Sequence, residues 1–272
     1  MMKYIMAAES RRLYDKMSED KLSEKQKEQM NPLMSDNMKD TELMTALWIL
    51  SSILKEYYGK KVIILIDEYD VPLDKAFENN YYNEMIILLR NMLEQSLKTN
   101  DNLYMAVLTG CLRIARESIF TGLNNFNIFS ITDQYFDEYF GFTDKEVKEI
   151  LQYYKVPEAF EQTKKWYDGY RFGNTDIYCP WDVINHCRAL KVEPDATPQP
   201  YWINTSGNYI VKRFIEKANQ QTRREIEQLI EGKAIQKEIR LELTYNELDS
   251  TIENLWSVLF ATGYLTQQGK PQ

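Results

Sequence analysis

Val62-Ile63-Ile64-Leu65-Ile66-Asp67-Glu68-Tyr69-Asp70 is the stretch on which the fold of this chain turns. Five consecutive aliphatic residues, mostly β-branched, suit a strand buried on both faces, as in a parallel sheet. Asp67 and Glu68 follow at its carboxyl end. In open parallel sheets, ligands bind in the crevice outside the carboxyl ends of the strands. Two acids there match the Walker B pattern, in which the Asp helps to hold Mg²⁺ and the Glu orients or deprotonates an attacking water. The plainer alternative is a strand ended by solvated acids.

Reading outward, Asp40 or Thr41 can cap a helix whose apolar positions are Leu43, Leu47, Leu50, Ile53, Leu54 and Tyr57, with Gly59 ending it. Pro72 breaks the chain soon after the acids. A second helix is predicted over Tyr82 to Lys98, with Met85, Ile86, Leu89, Met92, Leu93 and Leu97 on one side. Leu103 to Leu108 reads as another buried strand, ending at Thr109-Gly110. Strand, helix, strand at this length is a βαβ unit, so the two strands should be parallel. A third, weaker strand is expected near Asn127 to Ile131. Residues 1–39 are polar and Met-rich, and read as a short helix followed by a mobile segment around Asn31-Pro32.

From Phe142 the chain turns helical. Thr143-Asp144-Lys145-Glu146 is a capping box ahead of Val147, Ile150 and Leu151. Trp166 to Tyr178 is rich in Gly, Asp and aromatics and should be a loop or hairpin. Pro180 starts a helix through about Leu190. Residues 193–200 hold three prolines and form a linker. Helices are expected at about 207–219 and 222–232, a strand-like run from Ile235 to Leu243, and a last helix from about Thr251 to Thr262. The organisation expected is a polar segment over 1–39, an α/β core over 40–142, and a mostly helical second domain over 143–272 with a partial winged-helix-like end.

The formal net charge of −8 gives no overall pull toward nucleic acid or anionic membrane. Three cysteines (Cys111, Cys179 and Cys187) make no disulfide framework and suit a reducing compartment. No stretch approaches the roughly 18 apolar residues of a membrane span, and MMKYIMAAESRR lacks the apolar core of a signal peptide. The expectation is a cytoplasmic protein with no membrane partner. Cys179, His186 and Cys187 invite a metal reading, but their spacing fits no zinc template; half-buried cysteines and a structural histidine on a helix are the plainer reading.

Thr109, at the end of the second strand, sits where many nucleotide hydrolases place a polar sensor of the terminal phosphate. Arg113 and Arg116 follow within one or two helical turns, and a guanidinium matches phosphate oxygens in a fork. Either could equally pair with Glu117. Asp67, Glu68, Asp70 and Asp74 form a dense acidic cluster for which a two-metal nuclease site is conceivable, although no companion Lys or further acid has convincing spacing. Trp166, Tyr167, Asp168, Tyr170 and Arg171 could stack on a base, but structural packing is the simpler account. Tyr201-Trp202 and Asn204 to Asn208 read as the cap of a helix.

Together the segments Val62 to Leu73, Leu108 to Asn125, Tyr139 to Thr143, Trp166 to Gly173 and Tyr201 to Asn208 resemble the bacterial AAA-ATPase-like family. These are predicted P-loop ATPases, often with a PD-(D/E)XK nuclease-like domain at the carboxyl end. The resemblance covers about residues 40–265. It implies a partial P-loop-NTPase-like parallel sheet, ATP and Mg²⁺ as cofactors, Asp67 as the metal ligand, and Asp67, Glu68, Thr109 and Arg113 as catalytic residues. Asp67, Thr109 and Arg116 would meet the nucleotide. Self-assembly and a nucleic-acid-directed partner domain are implied in the same way, with Arg113 a candidate contact across an interface. The sequence departs from the family where phosphate is gripped, because no G-x-x-x-x-G-K-[ST] occurs in it. Gly59-Lys60-Lys61 lacks the upstream Gly and the hydroxyl. It also precedes a strand instead of opening a helix. The chain further stops before any nuclease-like part. The expectation is a fragment or degenerate form with very weak nucleotide binding. The alternatives are a non-enzymatic interaction scaffold and a metal-dependent nuclease using the acidic cluster.

Overall fold

The computed structural model describes residues 2–111, 119, 120, 123, 126–202, 212, 215–243, 247 and 251–268. The chain forms two compact units, Met1–Phe126 with Glu242–Glu247, and Asn127–Leu241 with Leu248–Gln272.

In the first unit, α1 (Met2–Asp15) and α2 (Glu24–Leu33) pack on one another and on α3 (Asp40–Tyr58). The expected mobile segment around Asn31-Pro32 is therefore the last turn of a packed helix. The reason is a buried stripe: Ala7 on α1 and Met30 and Leu33 on α2 have no exposed surface. A capping box starts α2: the Ser23 hydroxyl accepts from the Gln26 N–H and the Gln26 side chain accepts from the Ser23 N–H. The cap of α3 is Lys39, one residue earlier than expected; its N–H donates to Glu42 at 2.7 Å. Gly59, in the left-handed region at φ +67°, ends α3.

Strand β1 (Val62–Ile66) follows, then α4 (Val71–Glu78), α5 (Tyr82–Leu97) and β2 (Leu103–Leu108). Pro72 does not merely break the chain. It opens α4, where its missing N–H costs nothing. The strands pair in parallel, with Ile63 opposite Met105 and Ile66 opposite Leu108. The expected βαβ core is present, but the expected burial on both faces is not. Ile64 is buried, whereas Ile63 is 52% and Leu65 74% exposed, as are Met105 and Val107 beside them at 43% each. Paired residues of a parallel ladder share a face; α3 packs on β1 and α5 on β2, and the face of Ile63, Leu65, Met105 and Val107 is exposed.

In the second unit, the predicted box holds: Thr143 caps α6 (Asp144–Tyr154), with Glu146 reaching back to it. Then come α7 (Phe160–Tyr167), the antiparallel hairpin β3 (Asp168–Phe172) and β4 (Thr175–Tyr178), and α8 (Pro180–Val192). Val147, Leu151, Tyr167, Tyr178, Val183, Cys187 and Leu190 form their common core. Later, α9 (Gln220–Ile230) and α10 (Ile252–Ala261) bury Leu255, Trp256 and Leu259 together with Ile226 and Leu229.

Two expected strands are absent from the described residues. Residues 235–243 carry apolar side chains in alternation and residues 127–131 carry Ile128, Phe129 and Ile131, but neither segment is a strand in the structure. The Ile131 carbonyl is instead taken by the Gly173 N–H at 2.8 Å, and the Arg240 N–H donates to the Ser257 hydroxyl at 2.9 Å. Asn204 to Asn208, and most of the helix expected at 207–219, lie outside the described residues. The whole is a mixed α/β structure with a small parallel sheet and a predominance of helix.

Candidate functional site

The parallel register sets the two strand ends side by side, and the ladder runs one step past them. The Thr109 N–H donates to the Ile66 carbonyl, and the Tyr69 N–H to the Thr109 carbonyl, both at 2.9 Å. This carries the Thr109 side chain across to the acids. Its hydroxyl donates to Asp67 Oδ1 in a short hydrogen bond and accepts a long one, 3.4 Å, from the Glu68 N–H. Two residues separated by 42 positions, each singled out from the sequence, therefore touch. Among the described residues, Thr109 is the side chain that bonds the Asp67 carboxylate, at Oδ1.

The turn that follows is held by conformation and by packing. Glu68 sits at φ +54°, a region non-glycine residues occupy at a cost of roughly 1–2 kcal/mol. That reversal lets Asp70 cap α4, with its carbonyl accepting from Leu73 and Asp74 at 3.0 Å. Asp70 is buried, while Asp67 and Glu68 are exposed. Gly110 was not singled out in the sequence, yet it has a place here. A Cβ at this position would stand 2.7 Å from Tyr69 Cε1 and 2.9 Å from Asp70 Oδ1. The signal available was the Thr-Gly pair at a strand end, which marks close approach of two backbones.

The acids share one electrostatic environment. The Cys111 thiol is pushed up by the packing around it, then by Asp70, Glu68, Asp67 and Asp74. The Asp74 carboxyl is pushed up by burial, then by Glu78. Even so, among the described residues no group of three or more His, Cys, Asp or Glu side chains is placed to hold a metal ion. A cation at this end would rest on Asp67 with ligands from outside the protein. Mg²⁺ tolerates that arrangement, since it commonly takes one or two carboxylates and completes its shell with water and phosphate oxygens. Cys179, His186 and Cys187 form no such group either. Arg113 and Arg116 lie outside the described residues. No helix among the described residues is long and apolar enough to cross a membrane.

Residues 2–120 match the model of the AAA-ATPase-like family, described as predicted AAA-ATPase. A segment of 152 residues is 27% identical to the "Uncharacterized protein in vnfD 5'region" of Azotobacter chroococcum mcd 1. That alignment takes in 54% of this chain and 27% of the relative, so the chain spans about a quarter of that relative's length. No solved structure matches the chain significantly. The match to residues 2–120 takes in β1, β2 and the Asp67–Thr109 contact, and over that span the chain is similar to the predicted AAA-ATPases; it begins ahead of the expected residue 40, and the motif segments at Tyr139 to Thr143, Trp166 to Gly173 and Tyr201 to Asn208 lie outside it.

Proposed function

We propose that the Asp67–Glu68–Thr109 corner is the acidic half of an ATPase site, and that a complete site of this kind makes the protein a nucleotide-dependent switch or motor. The observation that carries this reading is the hydrogen bond from Thr109 to Asp67 across adjacent parallel strand ends. In this reading Asp67 holds the cation through its second oxygen. Mg²⁺, when bound, would neutralise charge on the phosphates. Glu68, exposed beside it, orients or deprotonates the attacking water. Thr109 fixes the rotamer of Asp67 and reports the state of the terminal phosphate. Arg113 and Arg116 are the candidate phosphate contacts.

The motif that cradles phosphate with successive backbone N–H groups is absent from this sequence. The chain as given should therefore bind ATP weakly and hydrolyse it negligibly. Calorimetric titration of the full chain with ATP and Mg²⁺ tests this, with a dissociation constant above about 0.1 mM expected. Micromolar affinity would overturn the expectation of weak binding. Retention of whatever binding is seen in Asp67→Asn and Thr109→Val would overturn the site assignment itself.

A second reading, an interaction scaffold, is favoured by the uncovered apolar face of Ile63, Leu65, Met105 and Val107. Patches of this kind mark surfaces that meet a partner. Self-assembly and a nucleic-acid-directed partner domain remain expectations of the family resemblance.

A further inference from the structure

A second site stands in the second unit, built from four short pieces of chain. The last turn of α7 delivers Trp166 and Tyr167, and β3, beginning at the next residue, delivers Tyr170. The start of α8 brings Cys179 and Asp182. The fourth piece follows α10, where Gly263 at φ +82° turns the chain so that Tyr264 to Thr266 run beside β3. The Arg171 N–H donates to Thr266 Oγ1 at 2.9 Å, and the Gln267 amide donates to the carbonyls of Arg171 and Gly173 at 3.2 and 3.3 Å. A Cβ on Gly263 would already touch Tyr170 at 3.4 Å, so the fourth piece lies close against the second. Between them is a cavity of about 270 Å³.

Its lining has an unusual balance. Trp166, Tyr167, Tyr170 and Tyr264 are four aromatic walls, and Asp182 is the one charged side chain among the residues that line it. Asp182 Oδ1 is buried with no hydrogen-bond partner among the described residues. The nearby cation is committed elsewhere: Lys164 binds Asp144 at 3.0 Å and Asp168 at 3.4 Å. One turn along α8, His186 is fully buried with neither ring nitrogen partnered among the described residues, and its ring lies 5.4 Å from that of Tyr167. Burial pushes the His186 pKa down, so it stays neutral and supplies no counter-charge. Burial pushes the Tyr170 hydroxyl up first, then Cys179 and then Asp182; burial also pushes the Cys179 thiol up, and that thiol is tied to Asp182 by a backbone hydrogen bond that lowers it and by charge and a side-chain hydrogen bond that raise it.

The chemistry narrows the ligand. An anion would face Asp182 at close range. A small metal cation needs several oxygen, nitrogen or sulfur donors, and among the described residues no group of three His, Cys, Asp or Glu side chains is placed to hold one. A weakly hydrated organic cation fits both features, because aromatic rings attract it and the carboxylate balances its charge.

We propose that this cavity binds an alkylated ammonium head group, with Asp182 as counter-charge and Trp166, Tyr167, Tyr170 and Tyr264 as its aromatic wall. The head group could arrive on a free small molecule or on a methylated lysine side chain, and the same titration separates these sources. This site is independent of the Asp67–Thr109 corner and stands or falls without it.

The test uses ¹⁵N-labelled full chain, with the Trp166 indole N–H as reporter, assigned through Trp166→Phe. Three probes are titrated: choline, its neutral isostere 3,3-dimethylbutan-1-ol, and a short peptide bearing trimethyllysine. Choline should move the Trp166 signal to saturation, and the isostere, equal in shape but uncharged, should bind at least about tenfold more weakly. Asp182→Asn should weaken choline about tenfold while leaving the unfolding temperature near that of the parent. A peptide tenfold tighter than choline identifies a protein side chain as the source, and equal affinities identify the free head group. The proposal is overturned if neither choline nor the peptide shifts the signal, or if the isostere binds as well as choline. The isostere comparison is made on the unchanged protein, so it decides the matter even if Asp182→Asn fails to fold.

Discussion

Gly110→Ala adds one methyl group at the point where β2 hands over to the acidic turn. The new carbon would lie 2.7 Å and 3.0 Å from two atoms of the Tyr69 ring and 2.9 Å from Asp70 Oδ1. Carbon atoms prefer roughly 3.5–4.0 Å, so the ring must retreat by about 1 Å. It is not free to do so at no cost. Tyr69 meets Phe120 edge-on at 5.4 Å, and Phe120 meets Phe126 at 5.3 Å. Asp70, the other obstacle, is 5% exposed and sits at the start of α4, where its side chain makes no cap hydrogen bond. Overpacking of a filled site costs about 1–3 kcal/mol. In a protein of this size that corresponds to a fall of roughly 3–10 °C in Tm. Urea unfolding gives the free energy, and hydrogen exchange over residues 62–74 should show the loss concentrated there. Gly169→Ala is the control, since a Cβ there meets no atom within 4 Å; it should stay within about 0.5 kcal/mol of the parent. If Gly110→Ala is as harmless as Gly169→Ala, the packing argument at the strand end is wrong.

Two further outcomes follow from burial and charge. Ile64→Ala should cost about 2–4 kcal/mol and Leu65→Ala less than about 0.5, because neighbouring residues of β1 lie on opposite faces and only the first is buried; similar losses in urea unfolding would mean that the Leu65 face is covered in solution. Burial alone would raise the Asp144 carboxyl, but the Tyr178 hydroxyl and the Lys164 ammonium together hold it below its ordinary value of 3.8. With the folded value depressed, the stability it contributes is present above 3.8 and lost as pH falls through the folded value. Asp144→Asn should thus cost roughly 0.5–1 kcal/mol at pH 7, and its unfolding curve should converge on that of the parent in acid; a constant gap at every pH would reject the ion pair as the cause.

The local signals in the chain were legible where they rest on short-range chemistry. Thr143 with Glu146 and Gly59 after Tyr58 each mark a helix end that the structure has. A side chain capping a backbone three residues away needs no tertiary partner, so the pattern carries its own evidence. Strands are different. The run Val62 to Ile66 became a strand because Leu103 to Leu108 lies beside it, while Ile235 to Leu243 carries alternation and forms none. A ladder needs a second edge, and alternation along one segment does not say whether an edge is near. Residues 1–39 failed for a related reason. Their overall polarity hides Ala7, Met30 and Leu33, whose burial depends on the face α3 offers.

By itself, then, the sequence determined the aliphatic run with acids at its end, the caps of several helices and the absence of a phosphate-cradling motif, because each is read from residues close together in the chain. Only the tertiary structure decided that Thr109 bonds Asp67, that one face of the sheet is uncovered, and that Trp166, Tyr170, Asp182 and Tyr264 share a cavity. Those facts join residues tens of positions apart, and the free energy that brings them together comes from burying side chains that no local pattern pairs.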